Sequence, residues 1–186
     1  MILSHKAKSK VVWLMALVYF CLTGFAWAET FEAFTGKINA KGINVRVDST
    51  VGSEIICSLA QGESVEVIRE VYGWYKIRLP KEAPAYIKKI LVECNSSNLD
   101  PVSQMSKCQS AKVMRDSVNI RLRPNESAWI LGKVDKATVV NVISDDGAWY
   151  KIYPVDQSYG WVNKKFVDKT EQETASPAPQ KAEALN

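Results

Sequence analysis

The sequence predicts an all-β protein: two tandem copies of a small barrel joined by a short linker, preceded by an export leader and followed by a disordered tail. Two observations carry that prediction. The first is an internal repeat. Ile43-Asn44-Val45-Arg46-Val47 returns seventy-five residues later as Val118-Asn119-Ile120-Arg121-Leu122, and Gly73-Trp74-Tyr75-Lys76-Ile77 returns as Ala148-Trp149-Tyr150-Lys151-Ile152. Residues 65–68 match 140–143, and Ala85-Tyr86-Ile87 matches Gly160-Trp161-Val162, all without net insertion. Register kept over so many matches marks a duplicated structural unit. The second observation is an apolar period of two. Ile43, Val45 and Val47 alternate with Asn44 and Arg46, and Tyr75, Ile77 and Leu79 alternate with Trp74, Lys76 and Arg78. That alternation belongs to half-buried strands. About five short strands per copy would leave a flat sheet with two open edges, so a closed or partly open barrel is expected.

The elements follow in chain order. Residues 1–28 read as a secretory signal helix. Lys6, Lys8 and Lys10 are basic, 11–22 is apolar, and Ala26-Trp27-Ala28 is a small-x-small cleavage site. An uncleaved anchor is the alternative, strained because a spanning helix needs about 20 apolar residues. Cys21 lacks the small residues of a lipid-attachment site before it. The first barrel is assigned to 37–93, the polar linker to 94–110 and the second barrel to 111–168. Gly52, Gly62, Gly73 and Pro80 punctuate the first copy; Pro124, Gly132, Asp146-Gly147 and Pro154 punctuate the second. Helical period extends no further than single turns at 88–91 and 163–166. Residues 169–186 are rich in Ala, Glu, Lys, Pro and Gln, too poor in apolar surface to offset chain entropy, and are expected to be disordered.

In order and spacing, these motifs resemble the bacterial SH3-like (SH3b) domain. The pattern is Val-Asn-Val-Arg, a turn, an apolar pair, Gly-x-x-Val-x-Val, Gly-Trp-Tyr-Lys-Val, then Gly-Trp-Val. It stands here at 43–46, Ile55-Ile56, 62–67, 73–77 and Tyr86-Ile87, and again at 118–121, Ile130-Leu131, 140–142, 149–152 and 160–162. The departures are Ala85-Tyr86 in place of Gly-Trp and Ala137 in place of a glycine. The resemblance implies an SH3-like barrel for each copy and cell-wall peptide as the first ligand to test.

Charge and cysteine usage narrow the function classes. The formal net charge is +4, but three lysines and no acid lie in the leader, so the remainder carries 21 basic against 20 acidic side chains. Lys88-Lys89 and Lys164-Lys165 are isolated doublets. That is no footprint for a phosphate backbone, and no nucleic-acid partner is expected. After leader cleavage no membrane contact is expected either, and the protein is read as exported, to the periplasm or the extracellular space. Export lets disulfides persist. Cys94 and Cys108, which flank the linker, are the candidate pair, and Cys57 is read as a small buried strand residue.

His5 is the only histidine and lies in the leader, so a Ser–His or Cys–His mechanism has no imidazole to draw on. Acids such as Glu66, Glu70, Asp145 and Asp146 read as solvated surface. No catalytic residue, cofactor or metal site is expected, and the protein is read as no enzyme. Binding remains. Trp161, Tyr86, Trp129, Tyr72, Tyr153 and Tyr159 are the candidate ligand-binding aromatics, able to stack on sugars or hold a peptide. For Trp161, Tyr86 and Trp129, burial within the barrel stays an equal alternative. Trp74 and Trp149 are read as core, because a domain this small needs its large apolar groups. Asn44, Arg46, Asn119 and Arg121 are read as structural, with Asn bonding a turn backbone and Arg covering a strand face. The expected partner is cell-wall glycan or peptide; the alternative is an adaptor that packs against an envelope protein.

Overall fold

The computed structural model describes residues 30–99 and 106–170. The expected leader, and the tail beyond residue 170, lie outside the described residues. The fold is all-β. Strands β1 (Phe34–Ile38), β2 (Ile43–Arg46), β3 (Ile55–Leu59), β4 (Ser64–Val71), β5 (Trp74–Arg78), β6 (Ala85–Lys88) and β7 (Val92–Leu99) come from the first half of the chain. Strands β8 (Ser106–Val113), β9 (Val118–Arg121), β10 (Ile130–Val134), β11 (Val139–Asp146), β12 (Trp149–Ile152), β13 (Tyr159–Asn163) and β14 (Val167–Lys169) come from the second. The two expected helical turns are single 3-10 turns, Lys89–Leu91 and Lys164–Phe166.

Two seven-stranded sheets form, one for each expected barrel, and they exchange strands. One seven-stranded sheet has the order β14-β1-β4-β5-β13-β2-β3, the other β10-β9-β6-β12-β11-β8-β7. Each repeat therefore gives its closing strands to the other. Relative to the expected spans 37–93 and 111–168, β13 and β14 lie in the sheet of the first repeat, and β6 and β7 lie in the sheet of the second.

The exchange is reciprocal, and the seventy-five-residue offset relates the two sides. The Lys164 amide donates to the Gly73 carbonyl at 2.9 Å, and its counterpart Lys89 donates to Ala148 at 3.0 Å. Lys164 Nζ pairs with Glu70 at 2.6 Å, and Lys89 pairs with the equivalent Asp145. Trp161 lies in register with Arg46 as Tyr86 does with Arg121.

Period-two burial supplies each core. Ile38, Val45, Leu59, Val67 and Ile77 from the first repeat pack with Val162 and Val167 from the second. Ala85 and Ile87 pack with Val113, Ile120, Val134, Val140 and Ile152. Leu122 and Leu131, from β9–β10, are buried in the first core rather than the second. The described residues from Phe31 onward accordingly form one compact unit.

The crossovers are residues 79–84 and 153–158. Pro80, Pro84 and Pro154 stiffen them and hold the residues before them extended. The crossovers touch: the Leu79 amide donates to the Ser158 carbonyl at 3.0 Å. Ser158 is fully buried, and its Oγ has no hydrogen-bond partner among the described residues. Gly132 makes room for this crossing, since a Cβ there would stand 1.8 Å from the Gln157 carbonyl oxygen.

Within the segment read as a linker, residues 94–99 and 106–110 instead belong to two paired strands. β7 and β8 pair antiparallel from Val92↔Val113 to Leu99↔Ser106. Its Ser and Asn content suggested a loop, but Cys108, Ala111 and Val113 are buried, and one apolar face is enough to seat a strand. A disulfide joins Cys94 to Cys108 across this pair, with Cα atoms 5.8 Å apart. Reducing it is expected to cost about 3 kcal/mol of stability, read as the difference between urea unfolding curves of the oxidised and reduced protein.

Ala137 holds a left-handed backbone, φ 71°, where its counterpart Gly62 has φ 84°. A Cβ is unfavourable there. Ala137→Gly is expected to raise stability by about 1 kcal/mol, visible as an increase in Tm.

Candidate binding grooves

Each half carries a groove at the same place. The first, about 270 Å³, is lined by Ile43, Asn44, Arg46, Val51 and Trp74 from the first repeat and by Asn163, Lys165 and Phe166 from the second. The other, about 330 Å³, is lined by Val118, Asn119, Arg121, Glu126 and Trp149 together with Lys88, Ile90 and Leu91. These residues correspond at the seventy-five-residue offset, so each groove needs the exchanged strand for one wall.

The tryptophans are largely buried, Trp74 at 9 % and Trp149 at 7 % exposure. Core packing and lining a groove are thus compatible for both rings. Arg46 Nη1 donates to the Ser53 carbonyl at 2.6 Å, and Arg121 Nη1 to the equivalent Ala128 carbonyl at 2.8 Å. The recurring arginine therefore pins a loop as well as covering its strand. Asn119 Oδ1, expected to bond a turn backbone, is buried and has no hydrogen-bond partner among the described residues.

The two grooves differ in chemistry. Val51 and Phe166 give the first an apolar wall, with Lys165 Nζ 4.7 Å from the Phe166 ring centroid. The second holds the Lys88–Glu126 ion pair beside Arg115 and Asp116. The hydrogen bond from Lys88 holds the Glu126 carboxyl below its usual range.

A third groove, about 450 Å³, opens between the halves, lined by Val47, Lys76, Ile130, Leu131, Gly132, Lys133, Gln157, Tyr159 and Trp161. The structure brings Tyr159 and Trp161 together here and leaves the other candidate aromatics apart. Tyr86 is half-buried across from Lys151 on the second sheet, and burial and nearby Asp146 raise its pKa. Tyr72 is 98 % exposed at a turn with φ 46°. Trp129 and Tyr153 are exposed and line none of these three grooves. Lys76 and Lys133, which share the third groove with the two rings, were not legible as site residues in the sequence.

Cys57 is a free thiol in β3. Burial, then Glu63 and Glu82, push its pKa up to about 12. At neutral pH it is a protonated, unreactive thiol.

The chain is 24 % identical over 156 residues to the Bacillus subtilis (strain 168) protein named "Putative N-acetylmuramoyl-L-alanine amidase YrvJ". That similarity covers 78 % of this chain but only 29 % of the relative, so the chain spans less than a third of that protein's length. The family profile of the bacterial SH3 domain matches twice, at residues 41–89 and 116–168. Each match contains a Trp-Tyr-Lys-Ile strand and the strand that crosses to the other barrel, and on those two matches the chain belongs to the bacterial SH3 domain family.

Proposed function

We propose that this protein is an exported, non-catalytic binding protein of the bacterial cell envelope, engaging peptidoglycan glycan or peptide through its paired grooves. The observation that carries this reading is the recurrence of one groove at one register on both halves, floored by Trp74 in one and Trp149 in the other. Two weak sites held on one rigid body gain avidity toward a polymer that presents repeated epitopes. The similarity to a cell-wall amidase over 29 % of that protein supports a wall-directed role. With His5 the only histidine, imidazole-dependent hydrolysis has no base in the barrels. The basic n-region and the Ala26-Trp27-Ala28 site support export.

Pull-down of the protein lacking residues 1–28 on purified sacculi tests this reading. Retention is expected, and it should fall when Phe166→Ala and Arg115→Glu are combined, since these change both grooves. No retention of the wild type, or retention unaffected by the double variant, overturns the proposal. Cross-linking in the native envelope to one stoichiometric protein, without sacculus retention, points instead to the adaptor role.

A further inference from the structure

The groove between the halves is distinct from the paired grooves, and its chemistry is specific. Tyr159 and Trp161 stand two residues apart on β13 and so share one face of it. Lys76 lies directly across from Trp161 in the ladder, and its Nζ sits 4.3 Å from the Tyr159 ring centroid. Lys133 comes from β10 on the other sheet. The lining thus holds two ammonium groups, the Gln157 amide and no carboxylate.

The positive charge here is also unspent. Lys88, Lys89, Lys164, Arg78 and Arg123 each pair with a carboxylate. Lys76 and Lys133 do not, among the described residues. Burial, aided by Arg69, presses the Lys76 pKa below its ordinary value, as expected for a cation lacking a counter-ion.

The duplication supplies an internal control. At the seventy-five-residue offset, Lys76 and Trp161 correspond to Lys151 and Tyr86, but Tyr159 corresponds to Pro84, Lys133 to Ser58, and Gly132 to Cys57. The matching surface on the opposite side therefore lacks the second ring and the second ammonium. Two copies that keep the same core have diverged at this groove.

We propose that the groove between the halves is a binding site for an acidic carbohydrate, with sugar faces stacked on Tyr159 and Trp161 and acid groups held by Lys76 and Lys133. Aromatic rings side by side accept the apolar face of a pyranose. Charge-assisted hydrogen bonds from lysine to a carboxylate or phosphate fix its position. The site is independent of sacculus binding by the paired grooves.

Titration calorimetry with trigalacturonate, its neutral methyl ester and triglutamate tests the proposal. Trigalacturonate should bind, and the ester and triglutamate should each bind about tenfold more weakly. Lys76→Gln and Lys133→Gln should each weaken trigalacturonate about tenfold for the same reason, while Lys151→Gln on the opposite side leaves it unchanged. Circular dichroism checks that the variants are folded. No binding by the wild type, equal binding of ester or peptide, or an equal loss from Lys151→Gln overturns the proposal. Trigalacturonate binding without sacculus retention keeps this site and removes the wall-binding role.

Discussion

Cutting the chain between residues 99 and 106 and reducing Cys94–Cys108 is expected to give two peptides, each unfolded alone, that fold when mixed in equal amounts. The first peptide contains β1–β5 of one sheet together with β6 and β7 of the other. Alone, it lacks Val162, Val167, Leu122 and Leu131 from its main core. Burying a Val or Leu side chain contributes about 1.5–3 kcal/mol. Four such losses approach the whole stability of a small domain, about 5–15 kcal/mol. The missing β13 also leaves β5 and β2 without the neighbour they share, with unpaired backbone groups along both. Circular dichroism and amide dispersion in NMR spectra, before and after mixing, report the outcome. A folded first peptide on its own would mean that β6 can close its own repeat and that the exchange is optional. With the disulfide intact, the cut protein should stay folded, since the bridge holds the pieces together.

Replacing Gly132 by alanine is expected to destabilise the protein by about 3 kcal/mol or more. The new Cβ would lie 1.8 Å from the Gln157 oxygen and 2.7 Å from its carbonyl carbon. These are backbone atoms of a crossover and cannot swing aside as a side-chain end would. Relief requires the 153–158 segment to lift, which strains the Leu79–Ser158 hydrogen bond and opens the groove between the halves. Gly52→Ala is the control, because a Cβ there meets nothing within 4 Å; its effect should stay within about 0.5 kcal/mol. Chemical denaturation of the three proteins side by side measures the difference. Equal midpoints for Gly132→Ala and wild type would show that the crossover yields without cost.

The strands themselves were written plainly in the chain. Period-two alternation and glycine or proline breaks mark the central strands of each repeat, and burial of Val45, Val67, Ile77, Ile120, Val140 and Ile152 follows that alternation. The partnering of the strands was not legible. Ala85-Tyr86-Ile87 and Gly160-Trp161-Val162 are similar enough to fit either barrel, and local pattern carries no information on which one receives them. The pairing of β7 and β8 was hidden by polar residues on a ladder with one seated face. The grooves were half visible. Repeated Asn, Arg and Trp positions marked their first-repeat or second-repeat wall, but the facing walls, such as Phe166 opposite Trp74, exist only through the exchange. Lys76 and Lys133 carry no local signal, because they meet Tyr159 and Trp161 only in the folded chain.

Reciprocal strand exchange has a consequence for ancestry. The walls that receive Ile87 belong to one copy and the walls that receive Val162 to the other, so each copy accumulates substitutions against its sibling's surface. Deleting one copy removes the surface that each exchanged strand packs on, so the remaining copy must either close on its own terminal strands or exchange them with a second molecule. Copy loss in a lineage of this architecture is therefore coupled to a change in strand pairing or in assembly.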